Sequence, residues 1–137
     1  ASISAVAVSL VYINTKQTIE ENEKKAEISA IISLFGDNFD NDPIAEKTTI
    51  RKKSGTQMAI YPLRKSGNIF GLAINTYTSK GFGGHIHLMV GFYLDGTMAG
   101  YEVLSHQETP GLGSKIIENK FSTKLLNLLF NSSIFIF

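Results

Sequence analysis

Residues 85–104 read HIHLMVGFYLDGTMAGYEVL, and they set the expected fold. Ile86, Leu88, Val90 and Phe92 fall at every second position, with His85, His87 and Met89 between them. A period of two belongs to a strand, whose successive side chains point to opposite faces. Asp95-Gly96 then interrupts the pattern, a two-residue hairpin signal because that turn wants positive φ. His85–Leu94 and Thr97–Leu104 are therefore predicted to pair antiparallel. The apolar set Ile86, Leu88, Val90 and Phe92 is expected to face the core.

Upstream, the same period extends back to Pro43. Thr48–Lys53, Thr56–Leu63 and Ile69–Thr78 read as strands, punctuated by Ser54-Gly55 and Ser66-Gly67-Asn68. Before Pro43 the pattern is helical. Ile19, Ala26, Ala30 and Leu34 recur at spacings of four and seven between Asn14 and Phe35. Glu20–Lys24 and Glu21–Lys25 are i,i+4 pairs in the favourable order. Gly36 is a C-terminal stop, and Asp37-Asn38 follows as loop chemistry. Downstream, Lys115 to Phe130 is predicted helical, and Asn131 to Phe137 is apolar without a clear partner. The expected fold class is α+β: one long N-terminal helix, a mainly antiparallel sheet and a short C-terminal helix.

Ala1 to Ile13 carries no charge. It is shorter than the roughly 20 residues that span a bilayer. It lacks the basic start of a signal peptide, and the chain does not begin with Met. Two readings follow: the outer half of a membrane helix, or a buried helix of a soluble fold. The chain has 137 residues, enough for one domain with one core. Charged residues make up 18%, below the usual quarter or so of a soluble domain. That shortfall suggests that part of the chain meets something other than water. The net charge of +1 and the scattered basic residues give no footprint for nucleic acid. The chain contains no cysteine, so disulfides, iron–sulfur clusters and cysteine-zinc sites are excluded within it.

Chemistry is concentrated in two runs. Gly81-Phe82-Gly83-Gly84 precedes the strongest strand. Taken alone it is a flexible strand connection. It is neither a P-loop, lacking Gly-Lys-Ser/Thr before a helix, nor a dinucleotide fingerprint, because a strand follows. His85 and His87 share a strand face at metal-compatible spacing, but no third ligand is placed beside them. His106-Gln107-Glu108-Thr109-Pro110-Gly111-Leu112-Gly113 is the most informative run. Pro110 fixes φ, and two glycines free the backbone to approach a flat ligand. His106 and Glu108 can form an acid–base pair, but no nucleophile accompanies them, so no catalytic residue is assigned.

Gly81-Phe82-Gly83-Gly84, a strand, the Asp95-Gly96-Thr97 turn, a second strand, and His106–Gly113 with Ile116 resemble, in order and spacing, the G subunit of Rnf-type electron-transport complexes. The hexapeptide Glu108-Thr109-Pro110-Gly111-Leu112-Gly113 is shared with the C subunit of Na⁺-translocating NADH:quinone reductases. The strong likeness covers about a quarter of the chain. It implies FMN as cofactor, held around His106, Glu108, Thr109, Pro110, Gly111, Leu112 and Gly113; no metal site is expected, from the lack of a third ligand beside His85 and His87.

The resemblance further implies a redox-carrier subunit that is not a complete enzyme by itself, with the other subunits of a membrane complex as partners. The expected location is the inner membrane, with the soluble domain on the extracytoplasmic side. Residues 1–35 would then be an N-terminal, partly transmembrane helix, and residues 36–137 an FMN-binding domain incomplete at its C-terminal end. In the family, a threonine of a Ser-Gly-Ala-Thr motif carries the flavin through its phosphate. No such motif occurs in this chain. The hairpin fully explains Asp95-Gly96-Thr97, so it is no substitute. The alternatives are a pilin-like structural protein and an unrelated small-ligand-binding domain.

Overall fold

The computed structural model describes residues 2–53, 55–111 and 113–118. Helix α1 spans Ser2–Phe35, and five strands follow: β1 (Thr48–Arg51), β2 (Gln57–Lys65), β3 (Asn68–Thr78), β4 (Ile86–Tyr93) and β5 (Met98–His106). They form one antiparallel meander in chain order. A 3-10 helix, Gly113–Ile117, closes the described part. The α+β class is as expected. Of the helix predicted over Lys115–Phe130, residues 115–118 are described, with Lys115–Ile117 in that 3-10 turn; its remainder and the apolar stretch Asn131–Phe137 lie outside the described residues.

The apolar and small positions of α1 that recur at spacings of three and four meet the sheet only in its last two turns. Ala30, Ile31 and Phe35 are buried there, with Leu34 beside them, against Tyr61, Leu63, Ala73 and Met89. Full burial of a side chain such as Ile31 or Leu63 contributes roughly 1.5–3 kcal/mol. Two side-chain hydrogen bonds fix the helix along the sheet. Asn75 Nδ2 donates to Glu27 Oε1 at 3.1 Å, and Ser33 Oγ donates to Glu102 Oε1 at 2.5 Å. The first half of α1 has no such floor. Val6, Val8, Leu10, Val11, Tyr12, Ile13 and Ile19 are all half or more exposed. Among the described residues, no helix is long and apolar enough to cross a membrane.

The sheet faces the helix with the side opposite to the one expected. Met89 is wholly buried, while Ile86, Leu88, Val90 and Phe92 on the other face are only half-buried. The reason lies in what a helix needs from a sheet. Gly71, Ala73, Gly91 and Gly100 lie in register on the Met89 side and let the Phe35 and Leu34 side chains come close. A count of bulky apolar residues selects the other face, but close approach depends on the small ones. Two bulges in β5, where its register against β4 shifts, add twist at the same place. The outer face receives the 3-10 helix through Tyr101, whose hydroxyl donates to the Ile116 carbonyl at 2.6 Å.

Both hairpins form, with the turn types exchanged. Lys65 pairs with Asn68 across Ser66-Gly67, both at positive φ (51° and 80°), the two-residue primed turn expected at Asp95-Gly96. Gly96, at φ 87°, instead ends a three-residue loop. Its N–H donates to the Tyr93 carbonyl, and the Tyr93 N–H donates to the Thr97 carbonyl. The Asp95 carboxylate accepts from both the N–H and the hydroxyl of Thr97, and this lowers its pKa. Beyond the end of β1, Asn41 covers the free edge of β2. Its amide donates to the Pro62 carbonyl and accepts from the Arg64 N–H, both at 2.9 Å.

Candidate functional site

The two glycine-bearing runs, separated by a full hairpin in sequence, meet in space. β4 begins just after Gly81–Gly84, and β5 ends at His106, just before the Glu108–Gly113 loop. Because β4 and β5 pair antiparallel, Ile86 stands opposite His106, and both loops leave the same end of the sheet. The ladder continues one step past the strands. The Gln107 N–H donates to the His85 carbonyl at 3.0 Å, and the His85 N–H donates to the Gln107 side-chain oxygen at 3.3 Å.

Glu108 sits between the loops and is 8% exposed. Its Oε2 accepts from the Gly83 N–H at 3.3 Å, while its Oε1 is buried without a hydrogen-bond partner among the described residues. The Glu108 N–H donates to His106 Nδ1 at 3.2 Å, which turns the imidazole back onto its own loop. Beyond Glu108 the chain is exposed at Thr109, Pro110 and Gly111, and Gly111 has φ 80°. The Thr109 carbonyl accepts from the N–H groups of Gly113 and Ser114, and Ser114 Oγ accepts from the Gly111 N–H at 2.9 Å. Phe82, on the facing loop, is fully exposed.

Of the residues predicted for the site, His106, Glu108, Thr109, Pro110, Gly111 and Gly113 are thus brought together, and Leu112 lies outside the described residues. Sequence reasoning missed Gly81, Gly83 and Gly84 as members of the site. Their signal was composition: three glycines in four residues beside an exposed aromatic. His85 and His87 do not converge on further ligands. The described residues contain no cluster of three or more His, Asp or Glu able to hold a metal. The arrangement suits a flat, partly polar ligand. Exposed backbone at Thr109–Gly111 offers polar groups, Phe82 offers a free ring face, and Glu108 stiffens the joint beneath.

Two interlocked loops at one end of a helix-backed antiparallel sheet, rich in backbone and poor in catalytic side chains, define a cofactor-holding module. Residues 81–132 match the family model of the FMN-binding domain, which begins at the glycine loop and contains the whole joint. The chain is thus similar to that family over 52 of its 137 residues. Among curated proteins it is similar to the G subunit of the ion-translocating oxidoreductase complex of Vibrio cholerae, 35% identical over 120 residues, covering 85% of this chain and 57% of the relative. The proteins of the same name from Stutzerimonas stutzeri and Cereibacter sphaeroides are 32% identical over 114 residues and 30% identical over 115 residues. They cover 81% and 83% of this chain, and 50% and 52% of those relatives. The chain therefore spans little more than half the length of the curated relatives it matches. The match falls on the glycine and Glu-Thr-Pro-Gly loops, which favours the FMN reading over the pilin-like and unrelated-ligand alternatives.

Proposed function

We propose that this chain is the FMN-holding, electron-relaying part of a subunit of a membrane-bound, ion-translocating oxidoreductase complex. The observation that carries this is the Glu108–Gly83 joint, which lies inside the segment matching the FMN-binding domain family. FMN, when bound, supplies one- or two-electron chemistry that no side chain of the module offers. The protein's share is position and polarity. His106, Glu108, Thr109, Pro110, Gly111, Leu112 and Gly113 form the cofactor loop. Gly111 and Gly113 permit close backbone approach, Pro110 sets the turn, and Leu112 adds an apolar contact.

The remaining parts of the proposal rest on the resemblance and on the exposed apolar start of α1. Residues 1–35 form a helix whose apolar start meets the inner membrane, and residues 36–137 form the FMN-binding domain on the extracytoplasmic side. The partners are the other subunits of the complex. The chain relays electrons and is not a complete enzyme alone. A titration of the purified chain with FMN, read by quenching of flavin fluorescence and by the visible spectrum, tests the core of this. Saturable quenching with a shifted visible flavin band, at about micromolar FMN or below, supports it. A flat titration up to about millimolar FMN removes it.

A further inference from the structure

Among the described residues the buried polar groups are the side chains of Asn75 and Glu108 and the hydroxyl of Tyr61. Asn75 is partnered by Glu27, whereas Glu108 has one donor, the Gly83 N–H, and one oxygen with none. A buried carboxyl oxygen without a partner is costly, so a side chain retained in that state has something to hold. What surrounds it shows what is held. A methyl group placed on Gly81 would collide with Glu108 Oε1, and one on Gly113 would collide with Oε2. The same methyl on Gly113 would stand 2.8 Å from Glu108 Cβ and 2.9 Å from Cδ, so Glu108 supplies its three nearest contacts among the described residues. A methyl on Gly83 would strike the Gln107 carbonyl oxygen and stand 2.9 Å from Glu108 Cα. Two glycines from two loops thus flank one carboxylate, and a third, Gly83, lies against the Gln107–Glu108 backbone and donates its N–H to that carboxylate.

We infer that Glu108 is a positioning residue: its carboxylate is the latch that holds Gly81–Gly84 onto the Thr109–Gly113 loop. The glycines on either side are the recess that receives it. Glu108 Oε1 is closed off from solvent, so the side chain works from beneath the exposed Thr109–Gly111 surface and does not touch a ligand lying on it. The consequence for flavin rests on the function proposed above; the latch itself does not.

The test uses trypsin on the native full chain. Lys80 is exposed and directly precedes the glycine loop, while Lys52 and Lys53 lie in the β1–β2 connection and give an internal reference rate. Glu108→Ala should raise cleavage after Lys80, relative to that reference, by about tenfold or more, because an unlatched loop opens locally. Glu108→Gln keeps an acceptor for the Gly83 N–H and should stay within about threefold of the parent. Gly113→Ala should also raise cleavage, but in a Glu108→Gly background it should add almost nothing, since its collision partner is gone. Gly83→Ala meets backbone, so its effect should persist in that background. Parent-like protection of Glu108→Ala, or full additivity of Gly113→Ala with Glu108→Gly, overturns the latch.

FMN titration of the same variants gives the second readout. Glu108→Ala should weaken binding about tenfold or more, and Glu108→Gln should restore it. If Glu108→Gln keeps the protease protection yet loses flavin as fully as Glu108→Ala, the carboxylate touches the flavin itself and the positioning role is wrong. A parent chain that binds no FMN removes the proposed function, and the protease cycle still decides the latch.

Discussion

The Phe35 ring lies directly on Gly91, so close that a methyl group at Gly91 would stand 2.8 Å from its Cε2 and 2.9 Å from its Cζ. The same ring sits 2.8 Å from the equivalent point at Gly71 on the neighbouring strand. It meets Phe70 and Tyr93 edge-on, at centroid distances of 6.2 and 5.4 Å. One aromatic at the last turn of α1 thus closes the helix onto a floor made of two glycines. Gly91→Ala should therefore destabilise the protein by about 1–3 kcal/mol, the usual cost of overpacking a core. Urea unfolding followed by circular dichroism measures it. A loss below about 0.5 kcal/mol, the size of an ordinary surface substitution, would mean that the ring can slide aside.

The orientation of β4 makes a second prediction. Met89 is fully buried against the helix side, whereas Leu88 is half-buried on the outer face. Met89→Ala should cost about 2–5 kcal/mol, as for other emptied core sites. Leu88→Ala should cost clearly less in the same urea experiment. Equal or reversed losses would put the main core on the outer face.

Tyr61 gives a prediction about pH. Its side chain is fully buried, and its hydroxyl faces Glu27 and Asn75 but makes no well-formed hydrogen bond among the described residues. Burial, and then the facing Glu27 carboxylate, push its pKa well above the ordinary phenol value. In alkali above that ordinary value the unfolded chain loses the proton and the folded chain keeps it. The unfolded state then binds fewer protons, so stability is fully present below about pH 10 and falls as pH rises beyond it. Tyr101 shifts upward too, by burial and then by Glu102, and adds to the same slope. Tyr61→Phe should make the loss of melting temperature between about pH 9 and about pH 11 shallower without abolishing it. At neutral pH the same change should be within about 0.5 kcal/mol of the parent or stabilising, because it deletes an unpaired buried hydroxyl. An unchanged alkaline slope would place the hydroxyl in water.

Gly111 separates binding from folding. It is exposed at φ 80°, and a methyl group there would meet none of the described residues within 4 Å. Gly111→Val thus acts through backbone conformation and through the approach of a ligand, not through a clash in the core. Parallel melts and FMN titrations should show a larger loss in flavin affinity than in stability. Equal losses would reduce the loop to a structural turn.

The fate of the flavin on denaturation is the last prediction. No Ser-Gly-Ala-Thr motif occurs in the 137 residues. FMN bound by this chain should therefore leave with the supernatant when the protein is acid-precipitated. A band that keeps flavin fluorescence on a denaturing gel would show a covalent link, with Thr109 and Thr123 the first residues to substitute.

Local physics was legible from the residues alone. The period of two along 86–92, the turn dipeptides and the helical spacing of Ala26, Ala30 and Leu34 each depend on near neighbours, and they gave the helix, the five strands and the pairing of the last two. The Glu108–Gly113 run was legible as a turn-bearing loop because proline and glycine dictate backbone shape at their own positions; the cofactor reading of it came from the family resemblance. What only the tertiary structure decided depends on residues far apart in the chain. Which face of β4 is buried was settled by Phe35 finding Gly71 and Gly91, not by the bulk of Ile86, Leu88, Val90 and Phe92. Which hairpin takes the primed turn was settled by strand register: Lys65 pairs with Asn68, while Tyr93 pairs around to Thr97. The partner of the glycine loop was settled by β4–β5 pairing, which carries Gly83 to a carboxylate 25 residues further along the chain. Period and turn chemistry act over a few residues, whereas helix-on-sheet contact and loop closure are set by packing and register across the whole domain.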